Sequence, residues 1–250
     1  MCFDKVKPTM GLTLSKHGNN NLKTIKHTYI IMFASISKLK DNGYEPKFII
    51  DIGAHIGNWT NECLNIFPKA KYFLYEAIHY EELSRFDGLA NIEVTSNTIL
   101  DETQRQIKWY QMKNTGDSMF REKTGYFNNC EVISRNTTTL NDVIDSTSLE
   151  NVFIKIDCQG AEIPILKGAS DIIAKTDFIL LEMPFFGQYN ENVPGFLEHI
   201  KYMDSIGFLP YDVCELHHSG NFTMQIDIMF INKNHSLNKT VQEHFLSLSY

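Results

Sequence analysis

The feature that most constrains the fold is a short apolar run, Phe48-Ile49-Ile50, followed at once by Asp-Ile-Gly-Ala-His-Ile-Gly at residues 51–57. An apolar run that ends in two closely spaced glycines indicates a buried strand, a tight turn and then the start of a helix. The next apolar run, residues 72–75, is closed by an acidic residue, Glu76. Neighbouring parallel strands end at the same edge of a sheet, so Glu76 should lie beside the glycine turn. The pattern favours a nucleoside-binding crevice.

The glycine spacing bears on which nucleoside this crevice can bind. A dinucleotide site normally has the spacing Gly-x-Gly-x-x-Gly, which seats a pyrophosphate on a helix N-terminus. Here the spacing is Gly53-x-x-x-Gly57, and Asp51 adds a negative charge beside the turn. An anionic ligand is therefore disfavoured, and the cationic S-adenosylmethionine fits better, with Glu76 accepting hydrogen bonds from the ribose hydroxyls. The alternative is an ordinary strand-to-helix turn whose glycines are only steric.

Strand and helix patterns alternate along most of the chain, which implies a parallel sheet with right-handed crossovers and helices on both faces. The predicted strands are 48–51, 72–76, 92–99, 106–112, 152–157, 178–182 and 225–232, with a weaker candidate at 209–216 that could pair with the last one as an antiparallel hairpin. The predicted helices are 22–42, 58–67, 81–86, 140–144, 163–174 and 196–206. The expected class is thus α/β and Rossmann-like, with a mostly parallel central sheet and an antiparallel last strand.

The same patterns predict the organisation of the chain. Residues 1–46 read as a polar arm followed by an amphipathic helix, residues 47–235 as one domain, and residues 236–250 as a tail. Residues 101–135 depart from the alternation and read as an insertion or hairpin.

Composition narrows the class of protein. Formal net charge is −7, and no stretch gathers the Lys/Arg density that a phosphate backbone requires, so nucleic acid is not expected as a partner. The first twenty residues lack the apolar core of a signal peptide, and the longest apolar run is too short to span a bilayer. Five cysteines without a Cys-x-x-Cys pair favour a reduced compartment. We therefore expect a cytoplasmic protein, with its oligomeric state left open.

A second motif carries the family resemblance. Residues 154–162 read Ile-Lys-Ile-Asp-Cys-Gln-Gly-Ala-Glu, residues 166–169 read Leu-Lys-Gly-Ala, and Leu181-Glu182 ends a later apolar run. Together with the glycine turn and Glu76, these segments resemble the FkbM-type methyltransferase family over roughly residues 47–233. The resemblance implies a class I methyltransferase, in which an antiparallel end to a parallel sheet is typical. It also implies S-adenosylmethionine-dependent transfer of a methyl group, usually to a hydroxyl of a sugar or natural product. Gln159 stands where many members have glutamate.

The two motifs and the acidic residues that follow the predicted strands give the candidate site residues. The cofactor-binding candidates are Asp51, Gly53, Ala54, His55, Gly57, Glu76 and Asp101. The candidates for the base that takes the acceptor proton are Asp157, Glu162 and Glu182. Glu162 could instead stabilise a helix N-terminus, and Lys155 could pair with one of these acids or reach the surface.

Several readings stay open. His55 and the pair His217-His218 invite a metal site with these acids, but no ligand spacing supports one, and adjacent strand residues point to opposite faces, so no metal is expected. Asp227 could line the acceptor pocket or face solvent, and residues 116–118 could contact a ligand or only form a turn. The aromatic side chains that could stack on a sugar, or simply be core or lid, are Trp109, Tyr110, Phe185, Phe186 and Tyr189.

Two other functions compete with methyl transfer. A nicotinamide-dependent oxidoreductase is disfavoured by the missing third glycine and the absence of a plausible Tyr-x-x-x-Lys pair. A catalytically silent scaffold module is disfavoured by the intact acidic residues at positions 51, 76, 157 and 182. The acceptor itself is not identifiable from the sequence, since the insertion and the segment after Glu182 should shape its pocket.

Overall fold

The computed structural model describes residues 32–185 and 189–248. Its strands are β1 Phe48–Ile52, β2 Lys71–Tyr75, β3 Ile92–Thr95, β4 Ile99–Leu100, β5 Gln106–Gln111, β6 Glu131–Thr138, β7 Val152–Ile156, β8 Thr176–Pro184, β9 Phe208–Ser219 and β10 Phe222–Asn232. Its helices are α1 at 32–41, α2 Asn58–Ile66, α3 Leu140–Val143, α4 Glu162–Lys167, α5 Ser170–Ile173, α6 Phe196–Ser205 and α7 Ser236–Ser247. The predicted helix over 81–86 is a single stretch of 3-10 helix, Glu81–Phe86.

A seven-stranded sheet forms the centre, in the order β3-β2-β1-β7-β8-β10-β9. The first five strands of this order are parallel, β10 is antiparallel to β8, and β9 is antiparallel to β10. The predicted fold class is therefore confirmed, including the antiparallel hairpin at the end. Strand order reverses between β1 and β7, and such a switch point is where open α/β sheets bind ligands.

Alternate residues of each central strand enter two different cores, one on each face of the sheet. In β1, Ile49 belongs to the core formed with α1, α2 and α7, whereas Ile50 and Ile52 belong to the core formed with α3 to α6. This is the period of two expected for a strand covered on both faces, where apolar side chains are buried on each side. The sheet is thus fixed in register from both sides, and its loops at one edge are held in place.

The insertion is more ordered than the sequence indicated. Residues 92–99 do not form one strand, because β3 ends at Thr95 and Asn97 takes a left-handed φ of 59°. The chain then joins a second, three-stranded sheet of order β4-β6-β5, in which β5 and β6 are antiparallel. The predicted strand 106–112 is confirmed as β5, but β6 was not predicted.

The predicted helix 163–174 is two short helices, α4 and α5, separated at Gly168 and Ala169. A Cβ at Gly168 would lie 2.2 Å from the carbonyl oxygen of Asp101. The chain therefore passes directly over the backbone of residue 101 at this point, and a continuous helix with side chains could not make that approach.

The predicted arm at 1–20 and the first part of the helix at 22–42 lie outside the described residues, as does Phe186. The predicted tail contains α7, which packs through Leu237 on the core beside α1. Within the described residues, no helix has the length and apolar character needed to cross a membrane.

Candidate active site

A cavity opens at the carboxyl ends of β1, β2 and β7, with about 740 Å³ of empty space that is partly open to solvent. Of the residues predicted to bind the cofactor or to catalyse, Gly53, His55, Glu76 and Asp157 line it. The two motifs that are far apart in the sequence therefore meet at one cavity, at the switch point between β1 and β7.

Gly53 is the residue that lets the two motifs approach. Its φ is +74°, and an added Cβ would lie 2.1 Å from the carbonyl oxygen of Asp157. Its backbone N–H donates to the carbonyl of Tyr75 at 2.9 Å. Only glycine meets both the left-handed conformation and the lack of space. The bare backbone of this turn forms part of the cavity wall.

Glu76 follows β2 and is 9% exposed. Its Oε2 accepts a hydrogen bond from the N–H of His55 at 2.6 Å, and its Oε1 accepts one from the N–H of Ile78 at 3.1 Å. Burial raises the pKa of this carboxyl above its ordinary value, and the two backbone N–H groups oppose that shift. Each oxygen keeps a second lone pair. Glu76 is therefore a fixed carboxylate that can still accept two further hydrogen bonds from a ligand.

Asp51 was predicted to contact the cofactor, but in the structure it does not line the cavity. Its side chain is completely buried, Oδ2 accepts a hydrogen bond from the Thr60 hydroxyl at 2.7 Å, and Oδ1 lies 3.2 Å from Lys155 Nζ. Lys155 also donates to the carbonyl of Gly53 at 3.0 Å and lies 3.7 Å from Asp157 Oδ2. The Lys155 ammonium thus joins Asp51, the glycine turn and Asp157.

Three other predicted cofactor residues also lie behind the cavity wall rather than in it: Ala54, Gly57 and Asp101. Gly57 precedes α2 with a φ of +77°, and a Cβ there would meet the ring of Phe86 at 2.3 Å. Asp101 is completely buried and accepts hydrogen bonds from the N–H of Glu102 at 2.8 Å and from Arg105 Nε at 2.6 Å. These residues hold the loops around the cavity without lining it, and their contact with the cofactor stays a prediction.

The insertion supplies one wall of the cavity. The insertion residues that line the cavity are Trp109, Asn114, Thr115, Asp117 and Met119. Arg135 fixes this wall to the main sheet, since its guanidinium lies over the Trp109 ring and donates to the carbonyls of Ala77 at 2.7 Å and Asn97 at 2.8 Å. The sequence marked the insertion and Trp109 as possible pocket elements, but not the anchoring role of Arg135.

Asp117 both stabilises a turn of the insertion and lines the cavity. Its carboxylate accepts hydrogen bonds from the backbone N–H groups of Met112, Lys113 and Asn114 at 2.7, 3.0 and 3.3 Å. This is the turn role that the sequence left open for residues 116–118, and the same side chain borders the cavity.

A second cavity, with about 280 Å³ of empty space, lies beside the first, and Gln159 lines both. A chain of hydrogen bonds crosses it: Gln159 Nε2 donates to Glu182 at 2.9 Å, the Tyr189 hydroxyl donates to Gln159 Oε1 at 2.9 Å, and Gln225 Nε2 donates to the Tyr189 hydroxyl at 2.6 Å. A glutamate at position 159 would face Glu182 as a like charge, whereas the glutamine amide donates to it. The substitution relative to the family pattern therefore suits this network.

The loop that carries Gln159 is strained and firmly held. Gln159 has a left-handed φ of +55°, and its carbonyl accepts hydrogen bonds from the Ser118 hydroxyl at 3.1 Å and from Asn190 at 2.9 Å. Glu162 Oε1 accepts from the N–H groups of Cys158 and Gly160 at 3.1 and 3.2 Å, while its Oε2 lies 3.7 Å from Nε2 of the buried His199. Strained residues held this firmly are common at functional sites. Glu162 therefore holds the loop that precedes α4, and its catalytic role stays a prediction.

Glu182 lies on β8, where the sheet passes from parallel to antiparallel pairing. Asp227 on β10 is its register partner, and His217 Nε2 lies 3.8 Å from Glu182 Oε1 and 3.5 Å from Asp227 Oδ1. Burial lowers the pKa of His217, but Asp227, Glu182 and Glu215 raise it more, to about 9. His218 points elsewhere, with its Nε2 3.2 Å from the Thr223 hydroxyl. Asp227 therefore belongs to a buried polar cluster, and is only 6% exposed.

The first cavity fits S-adenosylmethionine on the chemistry of its walls. Gly53 contributes bare backbone to the cavity wall, Glu76 offers acceptors for ribose hydroxyls, and Asp157 contributes a carboxylate that could contact a cationic group. Apolar side chains complete the cavity and suit an adenine ring: Ile78, Leu100, Trp109 and Met119. The residues present therefore agree with the cofactor expected from the motifs.

Solved structures with similar folds include methyltransferases of very low identity. The 1,6-didemethyltoxoflavin-N1-methyltransferase of Burkholderia thailandensis is 10% identical, with 91% of this chain and 94% of that chain covered and a TM-score of 0.45. Magnesium protoporphyrin IX methyltransferase of Synechocystis PCC 6803 is 8% identical, with coverage of 89% and 90% and a TM-score of 0.47. An S-adenosylmethionine-dependent methyltransferase of Clostridium acetobutylicum is 9% identical, with coverage of 85% and 98% and a TM-score of 0.45.

No curated protein matches the sequence significantly. The family model of the methyltransferase FkbM domain, in contrast, matches residues 51–210, which is well over half of the 250-residue chain. The match includes the glycine turn, Glu76, the motif around Asp157 and Glu182. The chain therefore belongs to the FkbM methyltransferase domain family, whose cofactor is S-adenosylmethionine.

Proposed function

We propose that this methyltransferase transfers its methyl group to a hydroxyl oxygen of a sugar, a glycan precursor or a small natural product. The observation that carries the proposal is the second cavity, which shares Gln159 with the cofactor cavity. Its polar lining consists of amides, a phenol and carboxylates: Gln159, Glu162, Glu182, Tyr189, Asn190 and Gln225. Such groups form hydrogen bonds with neutral hydroxyl compounds, and no lysine or arginine lines this cavity among the described residues to favour a phosphate.

In this proposal, different residues of the chain bind the cofactor, orient the acceptor and accept its proton. Glu76 and the Gly53 turn hold the cofactor, which when bound supplies the methyl group. Gln159, Tyr189 and Gln225 orient the acceptor through the hydrogen-bond chain that crosses the second cavity. The acceptor hydroxyl must lose a proton as it is methylated. In this proposal the base is Asp157, which lines the first cavity, or Glu182, which lines the second.

Methyl transfer to oxygen is the first expected result. With S-adenosylmethionine as donor, we expect the protein to methylate members of a panel of glycosides, phenols and alcohols, and not the matching amines. General-base catalysis is worth about 10²–10⁴ in rate. We therefore expect kcat to fall by that factor in Asp157→Asn or Glu182→Gln, whichever removes the base. Mass spectrometry of the products identifies the methylated atom.

The matched control is Asp171→Asn, which makes the same change at an exposed position on α5 and should leave kcat unchanged. Methylation of amines alone, or of carbon alone, would contradict the proposed acceptor class while leaving the family assignment intact.

Cofactor affinity should depend on the charge of Glu76. We expect Glu76→Gln to bind S-adenosylhomocysteine at least about ten-fold more weakly, because a hydrogen bond to a charged group is worth about 1.5–3 kcal/mol and 1.4 kcal/mol is ten-fold in affinity. Isothermal titration calorimetry measures the loss. Glu93→Gln is the control, since Glu93 lies on the adjacent strand with an exposed side chain. NAD should not bind to either protein.

The same residue predicts a pH dependence. Burial raises the pKa of Glu76, and the ligand's hydroxyl donors prefer its ionised form. Affinity should therefore be complete above the raised pKa and fall as pH drops through it, at a higher pH than an ordinary glutamate would show. Glu76→Gln should not show this fall. An equally steep fall in the variant would place the titrating group elsewhere.

A further inference from the structure

Three strands bring together a set of buried side chains of which the methyl-transfer proposal uses only Glu182. Glu182 and Asp227 are register partners on β8 and β10, and both are at least nine-tenths buried. Like charges placed directly opposite each other in a sheet are destabilising. A positive charge between these two carboxylates removes that cost. His217 on β9, the third member of the group, supplies such a charge when it is protonated, and a bound cation would supply it when the imidazole is neutral.

The distances in this group are those of ligands to one ion. One atom from each of Glu182, His217 and Asp227 can be chosen so that all three lie within 4.8 Å of one another. The His217 nitrogen is 3.8 and 3.5 Å from the two carboxylate oxygens. Two ligands each roughly 2.0–2.2 Å from a metal, at angles of about 110–130°, are separated by about that much. Direct hydrogen bonds would be shorter.

A second observation, on unsatisfied polar atoms, concerns the same three side chains. Asp227 Oδ1 and His217 Nε2 are both buried atoms. They lie 3.5 Å apart as a loose ion pair, and neither makes a hydrogen bond of normal geometry among the described residues. Asp227 is 6% exposed, so its carboxylate has little access to water in compensation. Buried polar atoms are nearly always satisfied, and an ion is one of the groups that satisfies them.

We propose that Glu182, His217 and Asp227 bind a divalent transition-metal ion such as Mn²⁺ or Zn²⁺. The imidazole nitrogen favours Zn²⁺ over Mg²⁺ and Ca²⁺, which prefer sites made of oxygen alone, and the two carboxylates suit Mn²⁺. Three protein ligands leave at least one coordination position open. This last step rests on the proposed function: a hydroxyl oxygen bound in the second cavity, which Glu182 also lines, could take the open position, and the ion would make its proton easier to remove.

Binding of the ion does not require methyl transfer, so it is tested without cofactor or acceptor. The full chain is treated with EDTA, desalted, and titrated with MnCl₂ by electron paramagnetic resonance and with ZnCl₂ and MgCl₂ by calorimetry. We expect one Mn²⁺ per chain, with Zn²⁺ tighter than Mn²⁺ and Mg²⁺ weakest. Asp227→Asn and His217→Gln should each weaken Mn²⁺ binding by more than about ten-fold, since loss of a mere supporting residue already costs about that much.

The matched control is Asp212→Asn, which removes one carboxylate charge from the same strand as His217. The Asp212 side chain pairs with Lys38. This variant should bind Mn²⁺ as the unaltered chain does. Circular dichroism checks that each variant is folded, and His217, whose side chain is 25% exposed, serves if Asp227→Asn does not fold. Absence of saturable Mn²⁺ and Zn²⁺ binding would overturn the proposal, as would unchanged affinity in a folded Asp227→Asn or His217→Gln variant.

Discussion

Lys155→Met should destabilise the fold by about 3–5 kcal/mol, which is the usual cost of removing one partner from a buried ion pair. Lys155 is 7% exposed, and its ammonium lies 3.2 Å from an oxygen of Asp51, which is completely buried. Methionine retains most of the side-chain volume but leaves the Asp51 charge without its cation. The variant also loses the hydrogen bond to the carbonyl of Gly53, so the cofactor turn should loosen. Urea denaturation followed by circular dichroism measures the change in free energy of unfolding.

Two further variants show whether charge or packing causes this loss. Asp51→Asn combined with Lys155→Met should recover part of the lost stability, because a neutral amide can still accept a hydrogen bond from Thr60. Lys167→Met should cost no more than about 1 kcal/mol, since Lys167 pairs with Glu102 on the surface with half of its side chain exposed. If the double variant is no more stable than Lys155→Met alone, the buried charge of Asp51 is not the cause.

The sequence predicted most of the main sheet because its strands are buried on both faces. Runs such as Phe48–Ile52 and Val152–Ile156 are apolar almost throughout, and the glycines and acids that follow them mark where they end. Strand β6 was missed for the opposite reason. Glu131–Thr138 is mostly exposed or half-exposed, so no apolar alternation marks it, and its pairing with β5 and β4 depends on contacts distant in sequence.

The candidate site was predictable where local spacing determines it. Gly53 and Glu76 follow adjacent strands, and both line the cavity. Asp51 shows the limit of such reasoning. A carboxylate near a strand end was expected to face the ligand, but alternation places Asp51 on the face covered by α2, where Thr60 and Lys155 satisfy it.

Rules based on the spacing of ligands along the sequence could not identify the cluster of Glu182, His217 and Asp227. Its members come from three strands, and only the register of β8, β10 and β9 brings them together. No metal was expected from the sequence, because ligand-spacing rules apply to residues close together in the chain. The expectation that His217 and His218 face opposite ways agrees with their different contacts.

Gly53→Ala should be among the most damaging single changes that remove no functional group. The new Cβ would lie 2.1 Å from the carbonyl oxygen of Asp157 and 3.1 Å from Cys158 Sγ. The backbone of Asp157, directly after β7, cannot give way as a flexible side chain could. Overpacking costs about 1–3 kcal/mol, and a left-handed φ in a residue with a Cβ adds about 1–2 kcal/mol. We expect a combined loss of about 2–5 kcal/mol in free energy of unfolding, measured by urea denaturation.

Gly88→Ala separates these two effects. Gly88 has nearly the same φ, +79°, but no atom lies within 4 Å of an added Cβ, so this variant should lose only the backbone part, about 1–2 kcal/mol. The difference between the two variants then measures the contact between the glycine turn and Asp157. Because that contact brings the two motifs to one cavity, Gly53→Ala should also weaken binding of S-adenosylhomocysteine, and Gly88→Ala should not. If the two variants lose equal stability and keep equal affinity, the backbone at Gly53 can move to accept a Cβ. The close contact between Gly53 and Asp157 would then not be needed for cofactor binding.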